Sequence, residues 1–91
     1  MLLQNAILIT WDEPKRLANL ATHKLDFAEF ESRFDFASAI VRPAKHGRSL
    51  MIGRLGGTLL VAVVFSMLGT EAMSIISLRP ASKKERKLYG S

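Results

Sequence analysis

The sequence predicts an α+β domain of two layers, in which two N-terminal helices pack on a four-stranded antiparallel sheet and a short helix ends the chain. Three observations carry this prediction. Apolar residues recur at helical spacing in the first third of the chain, four apolar runs separated by turn signals follow, and a helix-start motif comes after the last run. Because the chain has 91 residues, we expect a single domain over residues 1–91 with one core.

The chain starts with a short β-rich run, residues 6–10, that could add an extra N-terminal strand to the sheet. Asp12 then offers an N-cap, and we expect the first helix to run to about His23. Its apolar residues at i, i+3 and i+4 spacing predict one buried stripe: Leu17, Leu20 and Ala21.

A second short helix is predicted by Asp26 and Glu29, which have the spacing of a capping box. Phe27, Phe30 and Phe34 fall on one face of that helix. We therefore expect this helix to cover the sheet with aromatic rings.

Four apolar runs joined by short links predict the sheet. Gly56 and Gly57 mark a hairpin. The run at 59–65 is apolar throughout, which is typical of a strand buried on both faces. The expected strands, which would form an antiparallel meander, are residues 38–42, 49–55, 58–66 and 72–79.

The last strand is expected to stop at Arg79 and Pro80, because proline has no N–H for a sheet. Ser82 and Glu85 then have the spacing of a capping box that starts the terminal helix. Four cations follow in this helix: Lys83, Lys84, Arg86 and Lys87. The last strand thus brings Arg79 to a sheet edge beside a cationic helix, and we expect the ligand to carry phosphate.

Charge is distributed unevenly along the chain. Residues 12–35 carry six acids and four bases, whereas residues 36–91 carry nine bases and two acids, an excess of +7 within a net charge of +5. Such a basic half is typical of a protein that binds a polyanion, and it equally suits an acidic protein partner.

Composition favours an intracellular protein. The absence of cysteine excludes a disulfide framework and a thiolate zinc site. Residues 1–5 lack the basic region of a secretory signal, and the apolar run at 59–65 is far shorter than the roughly 20 residues that span a bilayer. We expect a cytoplasmic protein without membrane contact.

No cofactor or metal motif stands out in the sequence. It contains no glycine-rich phosphate loop, no His/Cys or His/acid cluster with metal spacing, and no serine in a nucleophile elbow. What remains is a set of cations, two histidines, a late glutamate and a late tyrosine. This inventory can cleave RNA without metal, because the ribose 2′-OH attacks its own phosphodiester while the enzyme supplies positioning, cations and proton transfer.

The chain resembles the BrnT family of bacterial toxins at both ends. The family's ending, R-I-I-S-A-R-x-A-(T/S)-x-x-E-R-x-x-Y, is matched by Ile75, Ile76, Ser77, Arg79, Ala81, Ser82, Glu85, Arg86 and Tyr89. Its front, W-D-x-x-K-x-x-x-N-x-x-K-H-G-(V/I)-x-F, is matched by Trp11, Asp12, Lys15, Asn19, His23, Leu25 and Phe27. Together the two matches span nearly the whole chain.

The resemblance implies a RelE-like fold and a ribonuclease toxin of a type II toxin-antitoxin system, acting on messenger RNA in the bacterial cytoplasm without a metal ion. It also implies a BrnA-type ribbon-helix-helix antitoxin, a hetero-tetramer of two toxins and two antitoxins, and contact with operator DNA only through the antitoxin. Ser74 stands where the family has an arginine, so we expect attenuated activity if that arginine is catalytic. The alternative is a non-catalytic basic module of the same fold that binds nucleic acid or protein.

Four residues are candidates for catalysis. Arg79 offers a planar fork of donors to a phosphate, although an ion pair with Glu71 or Glu85 explains it equally well, and the resemblance favours function. Glu85 is a candidate base whose capping-box role already accounts for it. Arg86 lies on the cationic helix. His23 is shared with the family motif and imidazole exchanges protons readily near neutral pH, while a helix-end contact is its structural alternative.

Five further residues are candidates for RNA binding. Charges on a short terminal helix are more often a solvated face, but this helix has few apolar residues to anchor it. Tyr89 could stack on a base or pack the helix end, and the two arginines that flank residues 49–53 would extend the basic surface across the sheet. The set is Arg48, Arg54, Lys83, Lys87 and Tyr89.

Overall fold

The computed structural model of the chain describes residues 7–90. The predicted order of elements is confirmed, although the run predicted to begin at residue 6 starts outside the described residues. Single 3-10 turns at Phe27–Glu29 and Lys45–Gly47 precede α2 and β3. The elements are β1 (Leu8–Trp11), α1 (Glu13–His23), α2 (Phe30–Arg33), β2 (Ile40–Pro43), β3 (Ser49–Leu55), β4 (Leu59–Leu68), β5 (Ala72–Pro80) and α3 (Lys83–Tyr89).

One five-stranded sheet forms the centre of the fold, with the strand order β1-β5-β4-β3-β2. β2 to β5 form the antiparallel meander that the sequence predicts. β1 adds the extra strand and pairs with β5 in parallel. The sheet therefore has β1 at one edge and β2 at the other, and β4 lies at its centre. Val61, Ala62 and Val63 of β4 are fully buried, so the prediction of a strand buried on both faces is confirmed.

The main core lies on one side of the sheet, which we call the core face. Phe27, Phe30 and Phe34 pack on it, as predicted, and the first two are fully buried. The ring centroids of Phe30 and Phe34 are 4.6 Å apart, so the rings also stack on one another. The strand residues of this cluster are Met51, Leu55, Val61, Val63, Phe65, Met73, Ile75 and Leu78.

The start of the aromatic segment differs from the prediction. Asp26 accepts a hydrogen bond from the Ala28 N–H at 2.9 Å, so the capping box with Glu29 does not form. Glu29 instead pairs with Arg33 at 3.1 Å. The segment therefore opens as a 3-10 turn before α2 begins, although its aromatic face is buried as expected.

A bulge in β5 decides which side chains reach the core. Val64 pairs with Ser77 and Phe65 pairs with Ile75, so Ile76 has no partner in the register. Strict alternation would put Ile75 and Ser77 on one face, but the extra residue places Ser77 on the face opposite Ile75. Ile75 and Leu78 can then both be fully buried in the core.

α3 packs on the opposite side of the sheet, which we call the α3 face. A small apolar cluster of Ile52, Leu60 and Ala81 lies there, and Tyr89 packs against it. α3 contacts β3 in particular. It therefore forms a partial third layer, which the two-layer prediction did not include.

The predicted apolar stripe of α1 is wrong. Leu17 is 54% exposed, Ala21 is exposed and Leu20 is only half-buried, whereas Asn19 is the buried residue of this helix. Asn19 Oδ1 accepts from the Leu78 N–H at 3.0 Å, and its Nδ2 donates to the Leu78 carbonyl at 2.8 Å. The amide thus takes the place of a strand partner for β5 beyond the end of β1. α1 is attached to the sheet edge by polar bonds and needs little apolar surface.

Candidate nucleic-acid interface

Two arginines reach the α3 face from neighbouring positions of the sheet. In the register, Arg54 pairs with Leu60 and Arg79 pairs with Ala62. Leu60 belongs to the apolar cluster of the α3 face, and Ala62 is two residues further along β4. Because side chains alternate along a strand, Arg54 and Arg79 lie on the α3 face at the same end of the sheet.

Arg79 is held by Glu85 of α3 in a bidentate ion pair. Its Nη1 and Nη2 donate to the two carboxylate oxygens of Glu85 at 2.7 and 2.8 Å. The same carboxylate accepts from the Ser82 N–H at 2.8 Å, which completes the predicted capping box. The ion-pair explanation of Arg79 is therefore present in the structure. The Arg79 side chain remains 32% exposed, so the ion pair does not remove it from solvent.

This pair shifts the ionisation of both groups. The hydrogen bonds from Arg79 are the main cause that lowers the pKa of Glu85 from 4.5 to about 2. The hydrogen bond to Glu85 likewise raises the pKa of Arg79 above its usual value. Glu85 is thus a carboxylate throughout the neutral range and accepts protons poorly. Its geometry suits it to orient the Arg79 fork.

Tyr89 attaches the end of α3 to the turn before β2. Its hydroxyl lies 2.9 Å from Ser38 Oγ, and Ser38 donates to Asp35 Oδ2 at 2.7 Å. Because Ser38 gives its one proton to Asp35, Tyr89 is the donor to Ser38. The Ser38 bond is also the main cause that lowers the pKa of Asp35. The guanidinium carbon of Arg54 lies 5.5 Å from the centroid of the Tyr89 ring, within the range of a cation–π contact.

The remaining cations of α3 face solvent. Among the ion pairs formed within residues 7–90, none involves these side chains. α3 is anchored mainly by Glu85 and Tyr89, since Leu88 is 48% exposed. The exposed cations of this helix are Lys83, Lys84, Arg86 and Lys87.

Arg48 lies apart from this group. It is exposed and immediately precedes β3, whereas Arg54 is near the other end of that strand. The two residues are six positions apart, which is about 20 Å of extended chain. Ser74 is also at the Arg48 end, because it pairs with Ser66, and Phe65 pairs with Ser49. The expectation of one common basic surface is thus corrected: the structure brings Arg54, Arg79 and α3 together and leaves Arg48 at a distance.

His23 lies in a third location, at the end of α1. It is half-buried and lines a shallow depression of about 220 Å³ between α1 and β5. Lys15 and Thr22 of α1 and Ser77 of β5 line the same depression. Ser77 lies two residues before Arg79 on the α3 face, so the depression adjoins the Arg79 group along β5.

Sequence reasoning missed several polar residues that hold this region together. The sequence marks Asn19 only as part of the family motif, and it gives no sign of the roles of Ser38 and Asp35. Lys15, Asn19 and His23 do share a readable signal, because their i, i+4, i+8 spacing places them on one helical stripe. Ser38 carries no comparable signal, since its partner Tyr89 is 51 residues away, and Asp35 is linked to Tyr89 only through Ser38.

Two further features bear on the class of site. Within residues 7–90, no group of three His, Cys, Asp or Glu side chains is placed to hold a metal ion. No helix in that part of the chain is both long enough and apolar enough to cross a membrane.

The fold and this surface define a small α+β protein with a cationic helix and two arginines on one face of its sheet, a class suited to binding phosphate-bearing polymers. The chain belongs to the family described as "Ribonuclease toxin, BrnT, of type II toxin-antitoxin system", which matches residues 11–85. The resemblance seen in the sequence is thereby confirmed.

A solved structure supports the same assignment. The chain is similar to the ribonuclease toxin BrnT of Brucella abortus, with 48% sequence identity and a TM-score of 0.74. The match covers 86% of this chain and 100% of that chain. No curated protein sequence matches.

Proposed function

We propose that this ribonuclease toxin is an endoribonuclease that cleaves messenger RNA without a metal ion. The ribose 2′-oxygen attacks the adjacent phosphorus, the bond from phosphorus to the 5′-oxygen breaks, and a 2′,3′-cyclic phosphate is left. The 2′-OH loses a proton to a base, and the leaving 5′-oxygen gains one from an acid. The observation that carries the proposal is the Arg79 fork, held by Glu85 on the sheet face that borders the cationic helix.

Arg79 is assigned to the phosphate. Its Nη1 and Nη2 each give one N–H to Glu85, which leaves the Nε edge of the guanidinium for a phosphate oxygen. Charge that develops on the phosphate during the reaction would be stabilised by a group already in position. Glu85 acts in this proposal as the positioning residue of Arg79, because its low pKa makes it a poor base.

Proton transfer is assigned to His23, with Arg86 as a second cation near the phosphate. His23 adjoins the Arg79 group through Ser77, and its imidazole is partly exposed. Imidazole is the side chain best suited to exchange protons at neutral pH. The RNA backbone close to α3 is assigned to the cations Lys83, Lys87 and Arg54. Arg48 is assigned to a more distant part of the bound RNA. Tyr89 then supports this surface by its cation–π contact.

The partner is proposed from the family. A type II system pairs its toxin with a protein antitoxin, and we propose a BrnA-type ribbon-helix-helix protein that binds operator DNA. Two toxins and two antitoxins would form the complex. Light scattering on the co-purified pair tests this stoichiometry, and a mass that fits one of each would contradict it.

Ser74 is expected to attenuate cleavage. It lies at the Arg48 end of the α3 face, so an arginine there would add a cation to the distal part of the RNA path. The variant Ser74→Arg should therefore raise the cleavage rate several-fold with little change in thermal stability. An unchanged rate would contradict the attenuation.

The decisive experiment measures RNA cleavage by the purified protein with EDTA present. Arg79→Ala should lower the rate by about 100-fold or more, because it removes a transition-state donor. Arg79→Lys keeps a positive charge beside Glu85 and loses the planar fork. This variant should therefore fold normally, and its cleavage rate should be lower than that of the wild type by a factor of about 10 or more. Lys45→Gln, on the turn before β3, is the control for Arg79→Ala, because each of the two variants removes one positive charge.

A second candidate function is a non-catalytic basic module. The pairing of Arg79 with Glu85 favours it, because that ion pair could be purely structural. Wild-type protein that binds RNA but never cleaves it would support this candidate. Cleavage that EDTA abolishes, or that Arg79→Ala leaves intact, would contradict the mechanism proposed above.

A further inference from the structure

The depression between α1 and β5 is lined by polar side chains that the fold leaves free. Among the hydrogen bonds and ion pairs formed within residues 7–90, none uses the side chain of Lys15, Thr22, His23 or Ser77. Asn19 at the same place is already engaged, because both of its N–H groups donate to carbonyls and its Oδ1 accepts from the Leu78 N–H. Asn19 thus forms the hydrogen bonds that hold α1 to β5, and the side chains of Lys15, Thr22, His23 and Ser77 are available to a ligand.

The backbone of β5 is shaped to expose one of these groups. The bulge at Ile76 turns Ser77 away from the core and towards the depression. Ile76 itself lines the depression and is only partly buried. Bulges commonly re-aim a side chain next to a functional site. Here the bulge gives the depression a hydroxyl and an apolar wall.

The spacing of these side chains fits a single-stranded RNA, which carries several phosphates, and not a single anion. Lys15 and His23 are eight residues apart on α1, which is about 12 Å of helix rise. Ser77 and Arg79 are two residues apart on the same face of β5, about 7 Å. A line of donors therefore runs from α1 across Ser77 to Arg79, where the proposed cleavage site begins.

We propose that this depression is an RNA-binding subsite, in which Lys15, Thr22 and Ser77 hold the ribose-phosphate backbone of one or two nucleotides beside the scissile phosphate. The inference rests on the proposed ribonuclease function and extends it. The bound RNA then extends to both sides of Arg79. It contacts the α3 cations on one side and the depression beside α1 on the other. Ile76 offers the apolar surface against which a sugar or base can pack.

The two histidines of the chain make this testable by NMR. His23 lies in the depression, whereas His46 lies on the turn before β3, next to the far edge strand β2. The variants His23→Asn and His46→Asn assign the two imidazole signals. A short 2′-O-methyl oligoribonucleotide is the ligand, because its blocked 2′-oxygen permits binding without cleavage. We expect the His23 signals to shift on titration and the His46 signals to stay in place.

A matched pair of lysine variants measures the contact with phosphate. Lys15→Gln should reduce the slope of log affinity against log salt by about 0.7, the value for one lost contact with a single strand. Lys45→Gln, beside His46, should leave the slope unchanged. Equal slopes for the two variants, or a shift of His46 and not His23, would overturn the subsite.

The outcome separates this inference from the proposed function. Cleavage of RNA by a protein in which Lys15→Gln leaves the salt slope unchanged would leave the nuclease in place and remove the subsite. A lower slope in Lys15→Gln, in a protein that never cleaves RNA, would support the subsite and remove the nuclease.

Discussion

The two faces of the sheet differ in how they are held. On the core face, Phe27 and Phe30 are fully buried and three aromatic rings pack on the strands. On the α3 face, the buried cluster has three residues, and α3 is attached by the Arg79–Glu85 pair and the Tyr89–Ser38 bond. The burial of apolar surface stabilises a fold but is non-directional, whereas ion pairs and hydrogen bonds fix the positions of donor groups. The core face thus supplies stability, and the α3 face supplies positioned charge.

The polar groups that attach α3 also hold the two arginines, Arg79 and Arg54, that the proposed function assigns to RNA. Glu85 holds the α3 start and orients Arg79, while Tyr89 holds the α3 end and contacts Arg54. Changes on this face should therefore affect activity more than stability, and changes on the core face should do the reverse.

The largest effect is expected on the core face. Phe30→Ala should lower the free energy of unfolding by about 3–5 kcal/mol, because it removes a fully buried ring and leaves a cavity beside Phe34. Urea unfolding followed by circular dichroism measures the loss. The comparison on the α3 face is Leu88→Ala, which should change stability by no more than about 0.5 kcal/mol, since that side chain is 48% exposed. Similar losses for the two variants would erase the contrast between the faces.

A smaller effect is expected from Glu85, and it should depend on pH. The pKa of Glu85 is about 2 in the fold against an ordinary 4.5, so its contribution to stability is present above about pH 4.5 and is lost as the pH falls towards 2. Glu85→Gln should lower the free energy of unfolding at pH 7 by about 1–2 kcal/mol and flatten its decline over that acid window. Thermal unfolding across this pH range measures both.

Two other carboxylates keep some acid dependence in that variant. The pKa of Asp26 is lowered chiefly by the hydrogen bonds from Arg16, and that of Asp35 chiefly by Ser38. Their contributions have the same sign as that of Glu85 and should survive in Glu85→Gln. A variant with the full wild-type acid dependence would show that the Arg79–Glu85 pair is not a stabilising contact.

The sequence predicted what periodicity and turn chemistry determine. The aromatic face at Phe27, Phe30 and Phe34, the hairpin at Gly56 and the capping box at Ser82 were all readable locally. The Ser49–Leu55 strand was placed to the residue. These features depend on neighbours in sequence, so spacing alone specifies them.

The rest depended on distant partners. α1 was expected to bury Leu17, but the amide of Asn19 satisfies the β5 edge and the helix needs no apolar stripe. Gly53 lies within β3, where a Cβ would lie 2.6 Å from the Phe34 ring, and no local pattern indicates that close approach. The candidate site residues were chosen by residue type alone, and their division into an Arg79 group, a distant Arg48 and the His23 depression required the register and the bulge of β5.

The smallest effect is expected from the Tyr89 hydroxyl, and it tests how α3 is attached. Tyr89→Phe removes the donor to Ser38 and keeps the ring beside Arg54, so stability should fall by no more than about 1 kcal/mol. A double-mutant cycle with Ser38→Ala isolates the bond, since Ser38→Ala alone also removes the bond to Asp35. Amide exchange at the end of α3 should rise in Tyr89→Phe while exchange in β4 stays unchanged, because the bond holds only the helix. If exchange rises equally in β4, the hydroxyl also stabilises the core. The two faces would then differ less in their contributions to stability than their packing indicates.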